Sequence, residues 1–299
     1  MLPRSPADGV ALMYQSEVAP LKRVLMKHAR DAFVSQQRID EQWTALNYLG
    51  PPDFDAACRE SDALGALLEG LGAVVDWMPG EDTGMDSLYT RDASLVSDAG
   101  VILASMGKGS RADEPDAAGR EYPELGLHVL GAITEPGTLE GGDVAWLSPE
   151  TLAVGRGYRT NDEGIDQMAT LLGEEVRVVE VPLPHWKGAG DVFHLMSMLS
   201  PLAEDVLLVY SPLLPVAFRQ SLLSHGYRLV EVPEQEFEMG CNVLAVAPRV
   251  AVALNGHPET RRRMEAAGVE VHTYSGSEIS SKGCGGPTCL TRTLERATE

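Results

Sequence analysis

Apolar positions along the chain follow two rhythms. Leu21 to Lys27 (LKRVLMK) packs enough apolar residues into a short span to predict a strand. Pro51-Pro52-Asp53 marks a helix start with Asp53 as the cap, because an aspartate oxygen can accept from the first free backbone N–H groups. Leu64, Leu67, Leu68 and Leu71 then recur at helical spacing, so one face of this segment should be buried. Gly65 and Gly70 count against a helix interior there. The helix should stop at Leu71, with Gly72 at its C-terminal cap, and residues 73–77 (AVVDW) should return as a strand. Residues 31–50 carry no clear period and read as a loop or lid, and residues 1–15 as a poorly ordered leader.

A larger pattern recurs beyond this first unit. Residues 93–97, 143–147 and 242–246 each read as a strand, followed by a tight turn and a second strand (101–104, 151–154 and 250–254). Each hairpin is followed by a polar stretch, then a helical pattern, then another strand, such as helix 161–172 with strand 176–181 and helix 257–267 with strand 269–274. Residues 194–210 look like a degenerate copy. With the first unit this makes roughly five units of about 50 residues, a period that predicts a closed, propeller-like α/β array. An ordinary α/β sheet is the alternative, in which hairpins alternating with helices would be less usual. Residues 16–299 are therefore expected to form a single domain.

Composition narrows the partners. The chain has 299 residues, 44% of them apolar, enough for a full core. Its formal net charge of −20 argues against nucleic acid and anionic membrane surfaces, which need basic patches, and suits a cationic small molecule. No segment approaches a membrane helix, and residues 1–10 lack the apolar stretch of a signal peptide, so a cytoplasmic location is expected. The cysteines at 58, 241, 284 and 289 form no CxxC pair, which makes zinc improbable and free thiols the expectation.

Polar residues cluster where the units begin or end. Asp86 and Asp92 bracket one entry, Glu140-Gly141-Gly142-Asp143 opens the next unit, His194 opens the fourth, and Cys289 follows the last in a Gly/Pro-rich loop. Taken singly these are a turn residue, a loop charge, a core histidine and a small buried hydrophobe. In a closed array equivalent ends meet at the axis, so the four side chains would converge. Two carboxylates can grip a planar guanidinium through paired hydrogen bonds. A thiolate can attack the carbon held there, and a histidine can protonate the leaving amine and then activate water.

The segments TRDASLV (90–96), LEGGDV (139–144), RTNDEG (159–164), FHL (193–195) and GGPTC (285–289) make the chain resemble the guanidine-modifying (pentein) superfamily of arginine deiminases, amidinotransferases and dimethylarginine dimethylaminohydrolases. The resemblance implies a five-bladed α/β propeller without metal or organic cofactor, acting on a small guanidino substrate, and a homo-oligomer is compatible with it. Cys289 matches the family nucleophile, His194 the general acid/base, and Asp92 and Glu140 the guanidinium-binding carboxylates. Asp86 matches an auxiliary aspartate of the dimethylarginine hydrolases, and Arg111 and Arg159 the arginines that take the substrate's α-carboxylate. His185 is a rival to His194; the apolar run after His194 fits the family better. One departure stands out: deiminases and amidinotransferases carry an aspartate two residues after the histidine, where this chain has Met196. A thioether there would suit an N-alkylated nitrogen, which favours a dimethylarginine-type hydrolase, whereas the GGPTC loop is closer to the deiminases. An arginine deiminase, an amidinotransferase and a non-catalytic guanidino-binding protein are the alternatives, with a metal-dependent amidinohydrolase as a further one.

Overall fold

The computed structural model describes residues 12–80, 83–190 and 193–297, and these form five small sheets. Four are built alike. An antiparallel hairpin is followed by a helix that crosses over to a third strand, parallel to the second. The strands are β4 (Ser94–Ser97), β5 (Gly100–Leu103) and β6 (Val129–Ala132); β7 (Val144–Ser148), β8 (Thr151–Arg156) and β9 (Arg177–Pro182); β10 (Leu199–Ala203), β11 (Val206–Val209) and β12 (Arg228–Glu231); and β13 (Leu244–Ala247), β14 (Val250–Leu254) and β15 (Glu270–Tyr274). The crossover helices are Glu114–Glu124, Asp162–Leu172, Val216–Ser224 and Pro258–Ala266.

The fifth sheet joins the two ends of the described chain. Strand β16 (Arg292–Ala297) lies antiparallel between β1 (Leu12–Met13) and β2 (Leu21–Lys27), and helix Phe54–Gly70 leads from β2 to its parallel partner β3 (Val74–Met78). A late strand therefore completes the first unit, which closes the expected five-bladed α/β propeller. Most of the proposed leader, residues 1–11, lies outside the described residues; Leu12–Met13 are paired as a strand.

Local chemistry explains these elements. Asp53 caps its helix by accepting from the Ala56 N–H at 2.7 Å, and Gly72, with φ +97°, turns the chain out of it. Gly65 costs helix propensity, yet a Cβ there would come within 2.6 Å of the Trp77 ring, so the glycine lets β3 pack closely. Residues 31–50 are not a plain loop. They contribute to the short helices Ala29–Phe33 and Gln36–Gln42, whose Phe33 and Ile39 are buried. Residues 194–210 are not degenerate either, since β10 and β11 form a full hairpin.

Buried arginines tie neighbouring blades together. Arg91 donates to the carbonyls of Gly141 and Val144 and pairs with Glu17 at 2.7 Å, while Arg292 donates to the Arg91 carbonyl at 2.8 Å. Arg296 donates to the Ala245 carbonyl at 2.9 Å. Removing any of these heads would cost buried hydrogen bonds between blades. No helix among the described residues is long and apolar enough to cross a membrane.

Candidate active site

The polar residues that precede the first strand of each blade come together. Asp92 stands before β4, Glu140 and Asp143 before β7, His194 before β10, Asn242 before β13 and Cys289 before β16. Backbone hydrogen bonds fix their mutual positions: the Gly141 N–H donates to the Asp92 carbonyl at 2.9 Å, and the Arg91 N–H to the Cys289 carbonyl at 3.2 Å. Asp86, Asp92, Lys108, Arg111, His194, Asn242 and Cys289 line one cavity of about 420 Å³.

His194 is 3% exposed, and its Nε2 sits 2.7 Å from Glu140 Oε2. Its Nδ1 lies 3.9 Å from Asp92 Oδ1, a buried oxygen with no hydrogen-bond partner among the described residues. Burial disfavours the imidazolium, but Asp92, Asp143 and Glu140 outweigh it and raise the pKa of His194 to about 9. Glu140 is pulled the other way: burial opposes its charge, and the bond to His194, the His194 charge and Arg159 hold it well below the usual carboxylate range. Burial and the negative charge of Asp92 push the Cys289 thiol up to about 11, against the bond from Asn242 and the charge of Arg91.

The structure separates the expected site residues. Asp92, His194, Cys289 and Asp86 share the cavity, with Asp86 ion-paired to Lys108 at 2.6 Å. Glu140, fully buried, is not on the cavity wall: its oxygens take His194, the Lys108 N–H at 3.0 Å and Arg159 at 3.2 Å. It is placed to orient His194 more directly than to grip a ligand. Arg159 is likewise spent on Glu140 and lies off the cavity. Arg111 reaches the cavity wall, but its guanidinium is held bidentate by Glu114 at 2.8 and 2.7 Å and by Asp92 Oδ2 at 2.6 Å. Neither arginine is presented for a carboxylate, because each neutralises a buried acid. His185 is exposed and bonds to Tyr158, away from the cavity. Met196 packs into an apolar core with Leu195 and Met198 and does not line the cavity, so the case for an N-alkylated nitrogen beside its thioether loses its footing.

Sequence reasoning missed two residues here. Asn242 donates to the Cys289 sulfur at 3.0 Å. Asp143, fully buried, accepts from the Leu195 N–H at 3.0 Å and from Thr160 Oγ1 at 2.7 Å, while Thr160 Oγ1 accepts from the Glu140 N–H at 3.2 Å. Asp143 thus ties the segments of Glu140 and His194 together. Both residues hold the same place in the repeat as Asp92, which was the available signal. Ligand atoms of Asp92, Glu140 and His194 also lie within 4.8 Å of one another, close enough for a metal ion, although Glu140 and His194 already bind each other.

Five blades, each of two antiparallel strands, a helix and a further strand parallel to the second, bring a cysteine, a histidine and carboxylates together around one cavity. Residues 85–218 and 211–296 match the arginine deiminase family model, and the chain belongs to that family. It is 28% identical over 242 residues to the arginine deiminase of Rhodococcus erythropolis (strain PR4 / NBRC 100887), an alignment covering 70% of this chain and 60% of that protein. The chain thus spans about 60% of the length of that curated relative. Among solved structures it resembles DDAH from Pseudomonas aeruginosa in complex with citrulline, with a TM-score of 0.73, 22% identity and coverage of 92% of this chain and 99% of that one. An amidinotransferase from Microseira wollei in the saxitoxin biosynthetic pathway gives a TM-score of 0.77 at 16% identity, covering 96% and 98%.

Proposed function

We propose that the chain is a cysteine-dependent hydrolase acting at the guanidinium carbon of an arginine-type substrate. One observation carries this reading: Cys289, His194 and Asp92, whose buried Oδ1 has no hydrogen-bond partner among the described residues, line one cavity. Membership of the arginine deiminase family and the citrulline bound in the related DDAH support arginine as the first substrate to test.

Asp92 Oδ1 accepts a guanidinium N–H, the hydrogen bond it lacks beside the Arg111 pair on Oδ2. The arriving positive charge lowers the thiol pKa, and Cys289 loses its proton to solvent. The thiolate attacks the guanidinium carbon to give a tetrahedral adduct. His194, held as an imidazolium by Glu140, gives the Nδ1 proton to the departing nitrogen, and ammonia or an amine leaves. The neutral imidazole then takes a proton from water as it attacks the thiouronium carbon. The second adduct collapses by breaking the carbon–sulfur bond, its hydroxyl proton passes to the departing sulfur, and the ureido product leaves with the neutral thiol and the imidazolium restored. Arginine would give citrulline and ammonia; an N-methylated arginine would give citrulline and a methylamine. An amidino acceptor in place of water would make the reaction a transfer.

The test is a screen of arginine, methylated arginines and short guanidino acids for ureido product, with and without chelator, using the native chain and Cys289→Ser. Cys289→Ser should show no turnover, and activity retained by that variant would refute the assignment. Loss of activity in chelator would favour a metal at Asp92, Glu140 and His194 instead.

A further inference from the structure

We propose that the aromatic wall of this cavity is a subsite for an uncharged apolar or aromatic group joined to the guanidine, so that an aryl- or alkylguanidine is a better substrate than free arginine. The inference rests on the guanidine-hydrolase reading and adds the substrate class.

The first observation is a wall of rings. Trp186 meets Phe237 edge to face, with centroids 5.7 Å apart and planes at 84°, and Phe193 at 6.5 Å. Phe237 is in turn stacked at 4.0 Å on Tyr210, which belongs to the core. The wall is therefore backed by packed structure. Trp186, Phe193 and Phe237 line the same cavity as Cys289, together with Met239 and Leu254. Trp186 still leaves 41% of its surface exposed, apolar area that a ligand would cover.

The second observation is backbone strain. Among the described residues, six that are not glycine have positive φ: Val34, Asn47, Trp186, Met239, Arg249 and Cys284. Four of them, Asn47, Trp186, Met239 and Cys284, line this cavity. Holding Trp186 at φ 45° and Met239 at φ 67° costs energy that packing elsewhere must offset, and such costs concentrate where a side chain has to be presented to a ligand.

Charge decides what the wall receives. The lysines and arginine on the cavity are each ion-paired: Lys108 with Asp86, Arg111 with Asp92 and Glu114, and Lys187 with Glu238 at 3.0 Å. At Lys108 and Arg111, whose pairs are buried, a substrate carboxylate would have to displace an acid, whereas a neutral tail displaces none; the Lys187–Glu238 pair is exposed and weak. The cavity itself, of about 420 Å³, leaves room for such a tail.

The test compares kcat/KM for 2-phenylethylguanidine, butylguanidine, agmatine and arginine on the native chain, then on Trp186→Ala and Phe237→Ala checked for native circular dichroism. Phenylethylguanidine should exceed arginine by about tenfold or more, the order expected when an aromatic ring is buried instead of a carboxylate. Trp186→Ala should raise KM for the aryl substrate by roughly tenfold with little change in kcat, and narrow its lead over arginine. A preference for arginine or agmatine, or an equal effect of Trp186→Ala on all four compounds, overturns the subsite while leaving the hydrolase reading in place. If no guanidine is turned over, the hydrolase reading fails. Calorimetry with 2-phenylethylguanidine then decides the subsite: binding weakened by Trp186→Ala supports it, and absence of binding overturns it.

Discussion

Asn242 holds the Cys289 sulfur from one side: its Nδ2 donates to Sγ at 3.0 Å while its Oδ1 accepts from the Thr288 N–H at 3.1 Å. One amide thus fixes the loop and supplies a donor to the sulfur. The approach depends on Gly286, where a Cβ would come within 2.6 Å of Asn242 Oδ1. Asn242→Ala should strand the buried Thr288 N–H and remove a bond that favours the thiolate. We expect kcat/KM to fall by about 10- to 100-fold, since a hydrogen bond to a charged group is worth roughly 1.5–3 kcal/mol. The thiol should also become harder to ionise, which a pH titration of iodoacetamide inactivation would show. An unchanged titration would remove Asn242 from this role.

The thiol and the imidazole keep their ordinary order of titration, but both titrate well above their ordinary values. Cys289 is pushed up to about 11 by burial and Asp92, and His194 is raised to about 9 by its acidic neighbours over the opposing effect of burial. The resting protein therefore holds a neutral thiol beside an imidazolium at neutral pH. Inactivation of the free protein by iodoacetamide should rise with pH towards a midpoint near 11. Asp92→Asn should lower that midpoint, because it removes the charge opposing the thiolate, and should abolish turnover by removing the guanidinium acceptor. A midpoint near 8.5, the ordinary cysteine value, would show that this environment does not act on the thiol.

Much of the architecture was legible in local patterns. The Asp53 cap, the turn at Gly72 just after the helix and the repeated hairpins are written within a few residues of one another. Period and capping are local properties, so they survive without knowledge of the fold. The pairing of charges is not local. Arg111 reads by resemblance as a binder of the substrate's α-carboxylate, but Asp92, 19 positions away, and Glu114 hold its guanidinium, and all three are buried together. Arg159 is captured by Glu140 in the same way. Met196 was judged by its distance from His194 in sequence, but the turn after His194 sends it into the core. Asn242 was overlooked because an asparagine at the head of a strand reads as turn chemistry.

Asp143 should matter through position and through protons. It is fully buried, and burial together with Glu140 raises its pKa to about 6. Glu114 is likewise raised to about 7, chiefly by burial. A folded-state pKa above the unfolded value means that the folded chain binds the proton more tightly. That stability is fully present below the unfolded value and is lost as pH rises through the folded one. His194, raised to about 9, has the same sign. The melting temperature should therefore decline between about pH 4 and pH 9, apart from the depressed acids, which act at lower pH. Asp143→Asn should flatten the decline near pH 6. It should also lower kcat more than it raises KM, since the Leu195 and Thr160 bonds that set His194 and Glu140 cannot both be kept by one amide oxygen. A melting curve unchanged around pH 6 with normal kcat would refute both roles.

The two glycines at 141 and 142 should respond differently to a methyl group. A Cβ on Gly142 would fall 2.4 Å from His194 Nδ1 and 2.8 Å from Asp92 Oδ1, both side-chain atoms of the candidate site. A Cβ on Gly141 would fall 2.1 Å from the Arg91 carbonyl and 2.6 Å from the Ser94 carbonyl, both backbone. Side chains can swing aside, whereas the backbone at a blade junction must shift as a unit. Gly142→Ala should therefore fold, melt within a few degrees of the native chain and lose most of its activity, because the imidazole and Asp92 are driven out of register. Gly141→Ala should lose on the order of 1–3 kcal/mol or more of stability, the usual cost of overpacking, before activity can be measured. Thermal melts and turnover on the two variants check this. Normal turnover in Gly142→Ala would mean that the His194–Asp92 geometry is not what the reaction uses.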